Sequence, residues 1–94
     1  MKLLWTGRAL AEIDEIFAYV AADSPIAAEH LALLIETKAQ LLIDQPYIGR
    51  PGRVDGTREF VVTGTPYILP YRVRDGRVEI LAVLHASRQW PDQL

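Results

Sequence analysis

Residues 56–91 read Gly56-Thr-Arg-Glu-Phe-Val-Val-Thr-Gly-Thr-Pro-Tyr-Ile-Leu-Pro-Tyr-Arg-Val-Arg-Asp-Gly-Arg-Val-Glu-Ile-Leu-Ala-Val-Leu-His-Ala-Ser-Arg-Gln-Trp-Pro91. Three apolar runs lie between two turn signals. The spacing predicts a strand over 58–63, a turn at Gly64-Thr65-Pro66, a second strand over 67–74, a hairpin turn at Asp75-Gly76 and a third strand over 77–84. Pro70 cannot donate a ladder hydrogen bond, so it marks an edge position or a bulge. The third run is apolar at Val78, Ile80, Ala82 and Leu84 and also at Leu81 and Val83, which predicts a central strand covered on both sides. Strict alternation puts His85 on the Leu81/Val83 side.

Upstream, Lys2-Leu3-Leu4-Trp5 is a short strand candidate and Thr6 a helix N-cap. Leu10, Ile13, Ile16, Phe17 and Val20 form one apolar stripe of a helix over 8–22, with Glu12, Asp14 and Glu15 mostly off it. Asp23-Ser24-Pro25 breaks the pattern; Ser24 can cap a second helix and Pro25 suits its first position. That helix is expected over 25–44, with Ala27, Leu31, Leu34, Ile35, Leu41 and Leu42 facing the core. Residues 45–56 read as a loop anchored by Tyr47, Ile48 and Val54. The expected fold class is α+β, in the order β-α-α-β-β-β, with a helical hairpin packed on one face of a mainly antiparallel sheet. Residues 1–94 form a single domain in this reading.

Composition narrows the function classes. There are no cysteines, which excludes disulfides and thiolate metal sites. No His, Asp or Glu cluster has metal-ligand spacing, no Gly-rich phosphate loop joins a strand to a helix, and neither a cofactor nor a metal is expected. No run is long enough to span a membrane, so a cytoplasmic protein is the expectation. The net charge of −2 conceals an asymmetry: residues 1–49 carry three basic residues against seven acidic, whereas residues 50–94 carry seven arginines against five acidic. Arginine suits bidentate contact with carboxylate or phosphate, but a pI near 5.6 disfavours a generic nucleic-acid coat.

His85, followed closely by Ser87, Arg88 and Trp90, is placed for acid–base work on a phosphodiester, or simply to hydrogen-bond to backbone and fix the tail. His30 reads as a surface or boundary helical histidine. Arg72 and Arg74 fall on one side with Ile68 and Pro70, and Arg58 falls with Phe60 and Val62. The three are candidates for phosphate or partner binding from one sheet face, with ion pairing to Glu59 and Glu79 as the structural alternative. Trp90-Pro91 is either a packing anchor or a recognition element.

Several segments in order resemble the RelE/ParE superfamily of toxins from bacterial type II toxin–antitoxin modules: Leu4-Trp5-Thr6, Asp14-Glu15-Ile16, Ser24-Pro25, Gly49-Arg50-Pro51-Gly52-Arg53-Val54, Gly56-Thr57-Arg58-Glu59-Phe60, Pro66-Tyr67-Ile68-Leu69, Tyr71-Arg72-Val73 and Val83-Leu84-His85-Ala86-Ser87-Arg88-Gln89-Trp90. The resemblance covers the chain almost end to end. It implies a growth inhibitor neutralised by a cognate antitoxin in a hetero-oligomer, with operator DNA contacted only through the antitoxin. Arg50, Arg53, Arg72, Arg74 and Trp90 are the partner-binding candidates. The target implied is either DNA gyrase, for ParE-like members, or mRNA in the ribosomal A site, for RelE-like endoribonucleases; a non-toxic, antitoxin-binding corepressor is a further reading. Arg58 stands where ribonuclease members can carry a catalytic lysine, but Phe60 and Ile68 stand where a second lysine and an arginine are typical. A catalytic set, if the chain is a ribonuclease, reduces to Arg58, His85 and Arg88. That departure favours the gyrase-directed reading.

Overall fold

The computed structural model describes residues 1–94. Its elements are β1 (Lys2–Trp5), α1 (Gly7–Ala21), α2 (Pro25–Ala39), α3 (Leu41–Asp44), β2 (Arg50–Pro51), β3 (Arg58–Val61), β4 (Tyr67–Arg74), β5 (Arg77–Ile80) and β6 (Leu84–His85). The helices start where capping chemistry predicts. The Thr6 side chain accepts the Ala9 N–H, the Ser24 side chain accepts the Ala27 N–H, and Pro25 opens α2. The expected long second helix divides at Gln40, whose N–H bonds to Thr37 O, an i→i−3 turn. The division lets Leu42 reach the core from α3 while Leu41 stays exposed.

Of the residues expected to face the core, Ile35 and Leu42 are fully buried and Leu31 packs against the core, whereas Ala27 and Leu41 are exposed; Ala39 joins the core and Ala28 is buried against α1. Ile26 and Leu33 are exposed as well. α2 is apolar around most of its circumference, so periodicity alone defined its inner face poorly. On α1 the buried residues are Ala9 and Ile13, with Leu10 and Phe17 turned outward.

The sheet order is β1-β5-β4-β3-β2, with β6 also pairing β4. β3, β4 and β5 form the expected antiparallel meander. β1 adds parallel to β5, with Leu3 opposite Val78 and Trp5 opposite Ile80. The sheet is therefore mixed, mainly antiparallel, with two helices packed on it. The loop between α3 and β3 holds one further short strand, β2, antiparallel to β3 with Arg50 opposite Glu59.

The predicted third strand is interrupted. Tyr71 faces Ile80, but Ile68 faces Leu84 and Tyr67 faces His85. Between these pairs β4 has Leu69 and Pro70, whereas the facing chain has Leu81, Ala82 and Val83: one extra residue, a bulge. Its cause is Pro70. Leu81 donates to Pro70 O, so the backbone of Pro70 faces β5, where the ring nitrogen has no hydrogen to offer. α1 satisfies the displaced backbone: the Thr6 hydroxyl donates to Leu81 O at 3.1 Å, and Glu12 accepts the Val83 N–H at 3.0 Å. The extra residue also reverses the alternation. Val83 joins Val78 and Ile80 in the core against Ala9, Ile13 and Ile35, instead of lying on the opposite face as strict alternation required.

The loop after α3 is tied down by Tyr71. Its hydroxyl donates to Pro46 O at 2.8 Å and accepts the Gly49 N–H at 2.9 Å. Burial pushes the hydroxyl's pKa up, against the smaller opposing effects of the Gly49 N–H and the Arg58 charge. Tyr71 therefore stays a neutral phenol able to do both. A β-carbon on Gly49 would sit 2.5 Å from the Tyr71 hydroxyl oxygen and 2.9 Å from the carbonyl oxygen of Glu59. Gly49→Ala is expected to destabilise the fold by about 2 kcal/mol through overpacking. Tyr71→Phe should cost roughly 1–3 kcal/mol by leaving the loop's N–H and C=O without their partner. Denaturant unfolding at neutral pH checks both; unchanged midpoints would remove this lock from the account.

Candidate functional site

The arginines of the second half fall into three arrangements. On the sheet face turned away from the helices, two buried carboxylates each gather guanidinium groups. Glu79 Oε1 receives Arg72 Nε at 2.6 Å and Arg74 Nε at 2.9 Å, and Oε2 receives Arg77 Nε at 3.1 Å. Glu59 Oε1 receives Arg50 Nη2 at 3.0 Å, while Oε2 accepts the Arg53 backbone N–H at 2.8 Å with Arg53 Nε at 3.5 Å. Ion pairing with Glu59 and Glu79, the structural alternative, is therefore realised for Arg50, Arg53, Arg72 and Arg74. The two carboxylates are 3% and 4% exposed, but the arginine side chains are 38–54% exposed. Five cations over two anions leave this face net positive.

Arg58 belongs elsewhere. Its strand register sets it opposite Tyr71, so it shares the helix-side face with Phe60 rather than the face of Arg72 and Arg74. Its Nη1 donates to Gly49 O at 2.9 Å and Tyr47 O at 3.2 Å, and the guanidinium lies 5.1 Å from the Tyr47 ring centre. It lines a cleft of about 270 Å³ with Tyr47, Thr57, Arg72 and Val73.

His85 and Arg88 line a different cleft, of about 160 Å³, with Glu12, Glu15 and Ile16 of α1, Tyr67 of β4 and Trp90. The bulge at 81–83 makes this arrangement, because it turns His85 toward α1. The His85 ring meets Tyr67 edge-on, with centroids 5.5 Å apart. Its Nδ1 accepts the Ser87 backbone N–H at 3.2 Å and lies 2.9 Å from the Ser87 hydroxyl. A backbone N–H can only donate, so Nδ1 carries a lone pair and the neutral ring holds its proton on Nε2. In that state the ring's lone pair is engaged by Ser87 and is not free to act as a base. The tail-fixing role and the cleft-lining role therefore coexist. Trp90 is half-buried, donates to His85 O at 3.2 Å, and has the Arg53 guanidinium 3.6 Å over its ring. It serves as an anchor joining the tail to the Glu59 cluster.

The candidate set Arg58, His85 and Arg88 is thus divided between clefts at opposite ends of β4. Glu12, Glu15 and Tyr67 complete the His85 cleft without a short motif to announce them: Glu12 looked merely off the apolar stripe. No cluster of three or more His, Cys, Asp or Glu residues could hold a metal ion, and no helix is long and apolar enough to cross a membrane.

Comparison with known proteins agrees with this architecture. The family profile described as ParE toxin of type II toxin-antitoxin system, parDE, matches residues 3–90. Y4kP of Sinorhizobium fredii is 49% identical over 94 residues, covering 99% of this chain and 96% of that protein. Toxin RelE2 of Caulobacter vibrioides is 40% identical over 87 residues, covering 93% and 97%. A solved structure from the chromosomal ParDE toxin–antitoxin system of P. aeruginosa superposes with a TM-score of 0.83 at 29% identity, covering 93% of this chain and 97% of that one. The chain belongs to the ParE toxin family of type II toxin–antitoxin systems, within the RelE/ParE superfamily.

The Glu79 cluster makes a pH prediction. The hydrogen bond from Arg72, aided by the charges of Arg74, Arg72 and Arg77, holds the carboxyl below its ordinary range despite burial. A lowered folded-state value means the carboxylate contributes stability above its ordinary value of 4.5, and that contribution is lost as pH falls through the lowered value. Glu79→Gln should lower the melting temperature at neutral pH by leaving three arginines around a neutral amide. It should also flatten the acid limb of the melting-temperature profile relative to wild type. Parallel acid limbs for the two proteins would show that Glu79 does not carry the dependence.

Proposed function

We propose that this toxin inhibits growth by engaging DNA gyrase rather than by cleaving RNA, and that a cognate antitoxin neutralises it in a hetero-oligomer. The observation that carries the reading is the division of the candidate catalytic groups. Charge stabilisation of a phosphoryl transition state needs cations converging on one point, and Arg58 is in a different cleft from His85 and Arg88. Phe60 and Ile68 add no charge between them, and the His85 Nδ1 is engaged by the Ser87 N–H. The ParE family membership supports the same target class. The ribosome-directed alternative keeps one specific support: His85 and Arg88 do line a single cleft, beside Tyr67. Arg50, Arg53, Arg72 and Arg74 together with Trp90 are proposed as the partner-binding surface, consistent with their half-exposed guanidinium groups. Any contact with operator DNA is expected to run through the antitoxin.

Induced expression without antitoxin should arrest growth; normal growth would leave the corepressor reading. Purified protein should inhibit gyrase supercoiling and leave ribosome-bound mRNA intact, and A-site cleavage with unaffected supercoiling would sink the proposal. His85→Ala, which removes no core packing group, should retain growth arrest with the fold preserved by circular dichroism. Loss of arrest in that folded variant would return the enzyme reading to the lead.

A further inference from the structure

We infer that the cleft between Arg58 and Arg72 is a carboxylate-binding site that receives an acidic side chain from an extended peptide segment of a protein partner. The cleft exists because the chain leaves the sheet there. β3 begins at Arg58, opposite Tyr71, and Gly56 turns the preceding loop away at φ 78°. Arg72 and Val73 of β4 consequently have no β3 neighbour. Backbone direction alternates along a strand, and Pro70 O faces β5; Tyr71 and Val73 therefore face the β3 side. The N–H and C=O of Val73 open into the cleft, one donor and one acceptor at the spacing of a peptide backbone.

Two guanidinium groups converge on the same space from opposite sheet faces. Arg58 is held by Nη1 on the carbonyls of Tyr47 and Gly49, which leaves its Nε and Nη2 donors for a ligand. Arg72 is held by Nε on Glu79, which leaves both terminal nitrogens. No acidic residue lines the cleft. Each guanidinium is already positioned by its other bonds, so binding orders little further side chain. The exposed Tyr47 ring forms one wall, suited to the aliphatic stem of a glutamate. The cleft volume of about 270 Å³ accommodates one such side chain.

The chemistry favours a peptide over a nucleic acid. A phosphate chain could use the guanidinium groups, but its backbone offers no N–H for Val73 O and no C=O for the Val73 N–H, whereas an extended peptide supplies both. Arg74 and Arg77 continue the cationic track from Arg72, so a segment with several acidic residues fits better than a single one. This inference rests on the proposed neutralisation by a protein partner, and it names where the acidic part of that partner docks.

The test uses the whole 94-residue chain, labelled with nitrogen-15 and titrated by NMR with an oligoglutamate peptide, and separately with oligothymidylate of equal length. Oligoglutamate is expected to shift the Arg58 and Arg72 Nε–H signals and the Thr57 and Val73 amides before others. Arg58→Lys and Arg72→Gln should each weaken binding about tenfold through the lost guanidinium fork, while Lys38→Gln leaves it unchanged. Wild-type shift localisation keeps the inference testable if either variant fails to fold. Shifts spread evenly over all arginines, unchanged affinity in both folded variants, or equal binding of oligothymidylate at the same groups would each overturn it. None of these readouts involves gyrase, so a protein that leaves supercoiling untouched yet shows the localised shifts fails the target reading alone.

Discussion

Pro70 has no N–H to offer in the middle of a central strand, and the geometry of the sheet and its clefts follows from that. A proline there breaks the ladder to β5, and the chain answers with one extra residue opposite it. The freed backbone groups need partners, because buried unpaired amides cost on the order of 1–3 kcal/mol each. α1 supplies them through Thr6 and Glu12, which couples the position of the first helix to the irregularity in the sheet. Thr6 also caps that helix through the Ala9 N–H, so one threonine serves both ends of the coupling. The reversal in alternation then delivers Val83 to the core and His85 to a cleft against α1.

The opposite sheet face obeys a different logic. A solvent-facing sheet surface would ordinarily alternate charged residues loosely. Here Glu59 and Glu79 are sunk beneath arginines, of which Arg50, Arg72 and Arg77 each donate a directed N–H. Removing a carboxylate from water is tolerable only when its lone pairs are met, and the two clusters meet them with hydrogen bonds from three guanidinium groups and one backbone amide, with Arg53 and Arg74 adding charge. The guanidinium nitrogens not spent on these bonds leave the face cationic. The same arginines are therefore structural at one edge and available at the other, so a choice between ion pairing and partner binding is not forced on Arg72 or Arg53.

Much of the fold was legible in the residues. Thr6, Ser24 and Pro25 marked two helix starts, Asp75-Gly76 marked a hairpin, and the apolar runs located β3, β4 and β5. Pro70 announced a bulge or an edge, and the structure realises the bulge in a central strand. Residues acting across long sequence separations were not legible: β1 pairing parallel to β5, the two-residue β2, and Glu12 reaching Val83. The inner face of the second helical segment was right at Leu31, Ile35 and Leu42 but wrong at Ala27 and Leu41, because nearly every side of that helix is apolar. For the site, the individual residues Arg58, His85 and Arg88 were identifiable from their chemistry, but their separation was not.

Caps, turns and hydrophobic period are properties of near neighbours, so the two helix starts, the three main strands, the α+β class and the superfamily resemblance could be read from the residues directly. Which side chains share a cleft was settled by long-range packing. Face and register depend on a single inserted residue opposite Pro70 and on which strand ends first beside β4. A one-residue slip exchanges the two faces of a strand, and nothing local to His85 records that the slip has occurred.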